Sequence, residues 1–163
     1  MATDYYLQLE GIKGESADSM HVAWIECTSI DWSIDQPKSA TSSTSGGHTA
    51  ERAELSEISI GKLIDLASPV LAQACAWGRT IPKAKLEMLR ADGNGVPIKY
   101  FEVELDNVLI VHISPSFAIG ELPNESVHLK FSKVKWKYTQ QKIGGGSGGN
   151  TAGGWNLATN RIA

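Results

Sequence analysis

The residues most suggestive of chemistry lie in a glycine run near the C-terminus. Gly145 to Gly149 spell G-x-S-x-G around Ser147, the pattern that holds a serine nucleophile on a strained turn between a buried strand and a helix. The same run matches G-x-G-x-x-G from Gly144 to Gly149, a dinucleotide fingerprint when a helix N-terminus follows to receive a pyrophosphate. Neither flanking pattern is present, so both matches follow from glycine abundance alone. His21, His48, His112 and His128 have the chemistry for proton transfer or metal ligation, but none is spaced as in H-x-x-x-H. The carboxylates are scattered. No catalytic residue, cofactor-binding residue or metal ligand is assigned, and no cofactor is expected.

Lys130, Lys133, Lys135 and Lys137 interleave with Phe131, Val134, Trp136 and Tyr138, superficially a basic aromatic platform for single-stranded nucleic acid. Strand alternation separates the two sets: Lys133, Lys135 and Lys137 share one face and the apolar residues the other. The lysine face then reads as solvated or as meeting an acidic neighbour. Cys27 and Cys75 are too distant for a C-x-x-C ligand pair and too few for a disulfide framework, so buried free thiols are expected. Asn124-Glu125-Ser126 is a glycosylation sequon, idle without a secretory signal.

These residues belong to a chain of 163 with 15 Lys plus Arg, 18 Asp plus Glu and a formal charge of -3. That length predicts one domain over 1–163, and that balance supplies no general attraction to nucleic acid or acidic lipid. No segment offers the roughly 20 apolar residues of a membrane span, and Met1 to Glu10 lack the apolar core of a signal peptide. Synthesis in the cytoplasm, without membrane insertion, is the expectation.

Period-two alternation dominates the positioning elements. Tyr5, Leu7 and Leu9 predict a first strand. Ile25 and Cys27 are apolar at odd positions but Ile30, Trp32 and Ile34 at even ones, so a bulge or bend near Ser29 absorbs one residue. Pro37 ends the pattern, and the polar run that follows predicts a long exposed loop over 38–52. Leu55, Ile58 and Ile60 resume a strand.

One helix is expected, with Ser68 as N-cap, Pro69 at its first position and Gly78 as its stop; Val70, Leu71, Ala74 and Cys75 form its apolar stripe. Lys62 to Ala67 leave room for a second short helical piece. Strands over 84–90 and 98–105 flank the hairpin residues Asp92 to Gly95. Val108, Ile110 and His112 continue the second or begin another. A last long strand runs from Val127 to Tyr138 with its parity slipping near Ser132. The glycine-rich 144–154 segment predicts flexibility, with Trp155 docking beyond it, either on its own domain or on a neighbour. A curved antiparallel sheet with edges and appendages but no site fits an assembly subunit better than an enzyme.

A collinear series of residues gives that expectation a family. Asp4, Tyr6, Leu7 and Gly11-Ile12-Lys13-Gly14-Glu15-Ser16 open it. His21, Trp32, Gly46-Gly47-His48, Asp65 with Ala67-Ser68-Pro69, Gly78, Ala84-Lys85-Leu86, Phe131, Tyr138 and Gly154-Trp155-Asn156 continue it. In this order they resemble the haemolysin-coregulated proteins (Hcp), tube subunits of bacterial type VI secretion systems, across essentially the whole chain.

The resemblance implies a mainly β fold: two packed antiparallel sheets forming a β-barrel-like domain with one α-helix on the side. It implies a non-enzymatic subunit whose hexameric rings stack into a tube. The tube is driven by a contractile sheath, tipped by a VgrG-type spike and loaded with effector cargo in its lumen. Secretion to the extracellular space or a target cell follows. The matching long loop reaches toward neighbouring subunits and rings, which nominates Lys38, Thr41, Ser43, Ser45, Gly46, Gly47, His48, Glu51 and Arg52, together with Trp155, as interface residues. Many relatives carry glycine before the basic residue at the loop's end where this chain has Glu51 before Arg52. With Ile30, Trp32 and Ile34 toward the core, Asp31 and Ser33 point away, and the resemblance makes theirs a lumen surface. The competing readings are a serine hydrolase using Ser147 and a small β-barrel that binds nucleic acid through Lys133, Lys135 and Lys137.

Overall fold

Both slips of parity in the sequence are changes of partner. In the computed structural model, which describes residues 3–37 and 52–163, β1 (Thr3–Leu9) pairs with β2 (Ile25–Cys27), and the chain then crosses at Thr28 to β3 (Ser29–Asp31). There Thr28 N–H donates to the Gly61 carbonyl at 2.8 Å. A small hairpin of β4 (Ile34–Asp35) and β5 (Glu54–Leu55) precedes β6 (Ile58–Leu63), the partner of β3. After α1 (Ser68–Trp77) come the long strands β7 (Thr80–Ala91) and β8 (Pro97–Ser116). The sequence's single last strand is two, β9 (Asn124–Lys130) and β10 (Lys133–Gln141), followed by β11 (Ser147–Asn156) and β12 (Arg161–Ile162).

All pairings are antiparallel. They run β1 to β2, across Thr28 to β3, then β6, β9, β8, β7 and back to β1, closing a barrel-like ring of strands. From the first half of β8 a second sheet departs through β10, β11 and β12. Thus β8 serves both sheets, and it bends where it changes partner. Asn107 takes a positive φ of 52°, tolerable for asparagine, and its side chain donates to Ser132 Oγ at 3.0 Å. Ser132 N–H in turn donates to the Asp106 carbonyl at 3.0 Å. Asn107 and the break between β9 and β10 therefore form one hinge point. Alternation inside the barrel gathers Leu7, Leu9, Ile25, Ile58, Ile60, Leu86, Val103, Leu105, Ile110, Val127 and Leu129 into a core at most 1% exposed. Each such side chain contributes about 1.5 to 3 kcal/mol of burial.

The helix lies on this core through Ala67, Leu71 and Ala74, while Val70, expected on the buried stripe, is 39% exposed. Gly78 ends it in the left-handed conformation at φ 70°. Ser68 is not the N-cap: Ala67 occupies that position without a side-chain cap. The reason is a competing demand on the Ser68 hydroxyl, which donates to Glu125 Oε1 at 2.7 Å and accepts from Lys62 Nζ at 3.2 Å. Asp65 Oδ1 instead accepts from Ala67 N–H at 3.0 Å. The short helix considered over Lys62 to Ala67 is absent, because Lys62 and Leu63 complete β6 and only a turn follows.

Lys62, 1% exposed, and Glu125, 3% exposed, form an ion pair beneath the helix, and Lys62 Nζ also meets Asp65 Oδ1 at 2.9 Å. The Leu63 carbonyl accepts a further hydrogen bond from Nζ at 2.9 Å. One cation thus ties β6, β9 and the approach to α1.

A second polar clasp holds the segment between β1 and β2. Buried His21 places Nδ1 2.6 Å from Asp18 Oδ2 and Nε2 2.6 Å from Glu87 Oε2, while its ring stacks on Tyr6 with centroids 4.2 Å apart. Both carboxylates are served as acceptors only by the doubly protonated ring. The hydrogen bond to His21 holds the Asp18 carboxyl below its ordinary value. Burial raises that of Glu87, but hydrogen bonds from His21, Lys99 and Lys85 outweigh it and leave the net shift downward. Gly14 is required where this segment folds back, since a Cβ there would overlap the Trp24 carbonyl.

The glycine-rich tail is ordered. Its ten residues Ser147–Asn156 form β11, in register with β10 from Lys133↔Asn156 to Thr139↔Asn150. Backbone hydrogen bonds need no apolar side chains, and here bare glycine lets the two strands close: a Cβ on Gly154 would stand 2.9 Å from the Val134 carbonyl and 3.1 Å from Lys135 Cγ. Cys27 and Cys75 are free as expected, though half-buried rather than buried. Burial pushes the Cys27 thiol up to about 12.

Two outcomes follow from these clasps. Lys62→Met leaves two carboxylates facing each other inside the protein, and urea unfolding should show a loss of about 3 to 5 kcal/mol; an unchanged midpoint would deny the cation its role. Asp18 and Glu87 titrate lower folded than unfolded, so their contribution is complete above the ordinary carboxylate range of about 4 and disappears as pH falls through the folded values. Stability of the wild type should therefore decline more steeply than that of His21→Asn below about pH 4.5, with the gap between them closing in acid.

Candidate assembly surfaces

Among the described residues, which exclude His48, no catalytic constellation forms at the suspect positions. Ser147 is exposed at the start of β11, with no helix after it, so the strained strand-to-helix turn of a nucleophile elbow is absent. Among the described residues no group of three or more His, Cys, Asp or Glu is placed to hold a metal ion. His21 is a structural histidine. His112 and His128 face each other across β8 and β9 with ring centroids 4.7 Å apart, and His128 Nδ1 lies 3.1 Å from Glu57 Oε2.

The lysines of β10 do face away from Val134 and Trp136, and their acidic neighbour lies within the same chain. Register sets Lys133, Lys135 and Lys137 opposite Asp106, Glu104 and Glu102 of β8, which in turn oppose Lys83, Lys85 and Glu87 of β7. Lys137 Nζ is 3.6 Å from Glu102, Lys99 Nζ 3.0 Å from Glu102 and Lys83 Nζ 2.8 Å from Asp106. In the rows through Asp106 and Glu104 positive, negative and positive charge alternate strand by strand, while the row through Glu102 ends on Glu87, so the β10 lysines stand beside a line of carboxylates and not on a uniformly basic platform. Tyr138, expected inside with Trp136, is 41% exposed near the end of its strand.

The outer face of the other half of the barrel has a different character. Asp31 and Ser33 are both exposed, as the alternation requires. Pairing carries Asp31 of β3 into a row with Ser59 of β6, His128 of β9 and His112 of β8; the adjacent row is Ser29, Gly61, Ser126 and Ser114. The result is a surface of small hydroxyl side chains with two imidazoles. Of its members only Asp31 and Ser33 are nominated by the sequence reading. The signal for the rest is serine, glycine or histidine at every second position of β6, β8 and β9, legible once register is known. Ile34, grouped with the core in the sequence, is 49% exposed on the short β4, where β5 is its one partner among the described residues.

Of the nominated interface residues, Lys38, Thr41, Ser43, Ser45, Gly46, Gly47, His48 and Glu51 lie outside the described residues. Arg52 is engaged within its own chain, donating from Nη2 to the Leu157 carbonyl at 2.7 Å. Trp155 packs half-buried against its own core, opposite Val134 and Ile162, with its Nε1 buried and without a hydrogen-bond partner among the described residues. Exposed apolar side chains unmarked by any motif appear instead at Phe117, Ile119 and Leu122, between β8 and β9, and at Trp77 at the end of α1, with Phe117 71% and Trp77 75% exposed. Phe117, Ile119 and Leu122 are gathered in one connection, and contiguous exposed apolar groups are the kind of surface that contacts use.

Comparison with known proteins places this architecture. A family model described as "Type VI secretion system effector, Hcp" matches residues 6–138. Protein hcp1 of Pseudomonas aeruginosa is 33% identical over 162 residues, 98% of each chain. A solved structure described as that of a type six secretion system protein superposes with a TM-score of 0.93 at 29% identity, over 99% of this chain and 100% of the other. Hcp1 from Salmonella typhimurium gives 0.81 at 32% identity over the full length of both chains. The chain belongs to the Hcp family of type VI secretion system proteins.

Proposed function

We propose that this chain is the repeating tube subunit of a type VI secretion system, assembling as hexameric rings that stack head to tail and carry effectors. The observation that carries this reading is similarity to Hcp proteins along the whole chain, 98% of it against Protein hcp1 of Pseudomonas aeruginosa, joined to the same barrel-like fold. Hcp is a family of structural and effector-carrying proteins, not of enzymes. In this reading the subunit works without catalysis and takes no cofactor. It is made in the cytoplasm and exported by the secretion machine itself; no helix among the described residues is long and apolar enough to cross a membrane.

Head-to-tail rings require two unlike patches on each subunit that fit one another. The apolar turn of Phe117, Ile119 and Leu122 is one such patch, and the segment from Lys38 to Arg52 supplies contacts between rings. The hydroxyl-rich face around Asp31, Ser33, Ser59 and Ser126 lines the lumen, where small polar groups offer weak, unspecific contact to varied cargo. A VgrG-type spike at the tip and a contractile sheath outside complete the assembly.

Native mass spectrometry of the purified protein should give a hexamer, with rings in electron micrographs; only monomers at high concentration would overturn the reading. Asp31→Lys should leave the ring mass unchanged while altering the cargo recovered with it. Ser147→Ala should change neither assembly nor delivery, whereas loss of a hydrolytic activity in that variant would restore the enzyme reading.

A further inference from the structure

We propose that His112 and His128 form a two-imidazole site for a divalent transition-metal ion of the copper, nickel or zinc class, with Glu57 orienting one of the ligands. Pairing brings the two histidines together from strands on opposite sides of a turn. A register shift in β8 between Ile110 and His112 sets His112 directly across from His128. The rings are tilted by 50° with centroids 4.7 Å apart. Two imidazoles on one ion, each at a metal–nitrogen distance near 2.0 to 2.1 Å, have centroids separated by roughly 4.5 Å for a right angle and 5.2 Å for a tetrahedral one. The observed spacing lies between these, so the distance between the two rings is that of a pair sharing one ion.

The second observation concerns the free nitrogens. His128 Nδ1 is 3.1 Å from Glu57 Oε2, so with Nδ1–H donating to the carboxylate the Nε2 lone pair is left available. Ligating histidines characteristically hold a carboxylate on the ring nitrogen away from the metal, which fixes the tautomer and strengthens the donor. Glu57 therefore acts as a positioning residue rather than a third ligand. This agrees with the absence, among the described residues, of any group of three metal-ligating side chains. Both rings are accessible, His112 exposed and His128 with 32% of its side chain exposed. The remaining coordination positions would be filled by water or by a donor from a passenger molecule. The site is built by a single chain and so does not depend on ring formation; with the tube reading, its copies would circle the lumen.

The test is titration of untagged protein at neutral pH with nickel and zinc by calorimetry, and with copper by electron paramagnetic resonance. One ion per chain is expected, with nitrogen hyperfine structure from two imidazoles. His112→Ala and His128→Ala should each weaken binding by roughly tenfold or more, and Glu57→Gln by about tenfold without changing stoichiometry. All three side chains lie at the surface, and circular dichroism should show the fold intact. Wild-type affinity retained in either histidine variant, or no binding by the folded wild type, would overturn the site; an unchanged Glu57→Gln would overturn the orienting role. A chain that binds metal yet stays monomeric supports this site and counts against the tube.

Discussion

Two sheets share one strand, and that constraint organises the molecule. The first half of β8 pairs with β7 and β10, the second chiefly with β9, and the change occurs at Asn107 beside Ser132. A strand that belongs to both sheets cannot slip in one without dragging the other. Slippage by one residue would also send every core side chain to the surface. The barrel, the departing sheet and the orientation of their outer faces therefore share one register.

Polar groups inside the structure keep what that register sets. Lys62 draws β6, β9 and the approach to α1 onto a single ammonium, and His21 fastens a long connection to β7 through Glu87. Such contacts add little net stability compared with well-packed apolar groups of similar volume, but loss of one partner is severe. Their role is to make a few segments adopt one arrangement. In the Lys62 cluster this even overrides local helix chemistry, since the Ser68 hydroxyl serves the ion pair instead of the helix end.

The strands, the hairpin at Asp92 to Gly95, the helix bounds and the family itself were legible in the residues, because period-two alternation and turn chemistry are local signals. The parity slips at Ser29 and Ser132 were visible too, but parity cannot distinguish a bulge from a strand that changes partner. Glycine misled at 144–154: composition reports how little a segment can bury, yet β11 is held by backbone hydrogen bonds to β10. The histidine pair and the hydroxyl-rich face were invisible as units, since His112 and His128 come together only through the register of β8 with β9, and the face only through that of β3, β6, β9 and β8. Lys62 and Glu125, adjacent to nothing in the sequence that marks them as buried, belong to the same class.

The alternating rows on β7, β8 and β10 also determine what this surface looks like from a distance. In the rows through Glu104 and Asp106, charges reverse sign from one strand to the next and so repeat every two strand spacings, about 10 Å. The potential above such a lattice fades within a small fraction of that length, well inside the roughly 8 Å at which dissolved salt screens exposed charge. An approaching body is then neither steered nor repelled by these rows until it touches. At contact it meets fully expressed charges in fixed positions. Such a surface is silent to passers-by and exacting to anything pressed against it.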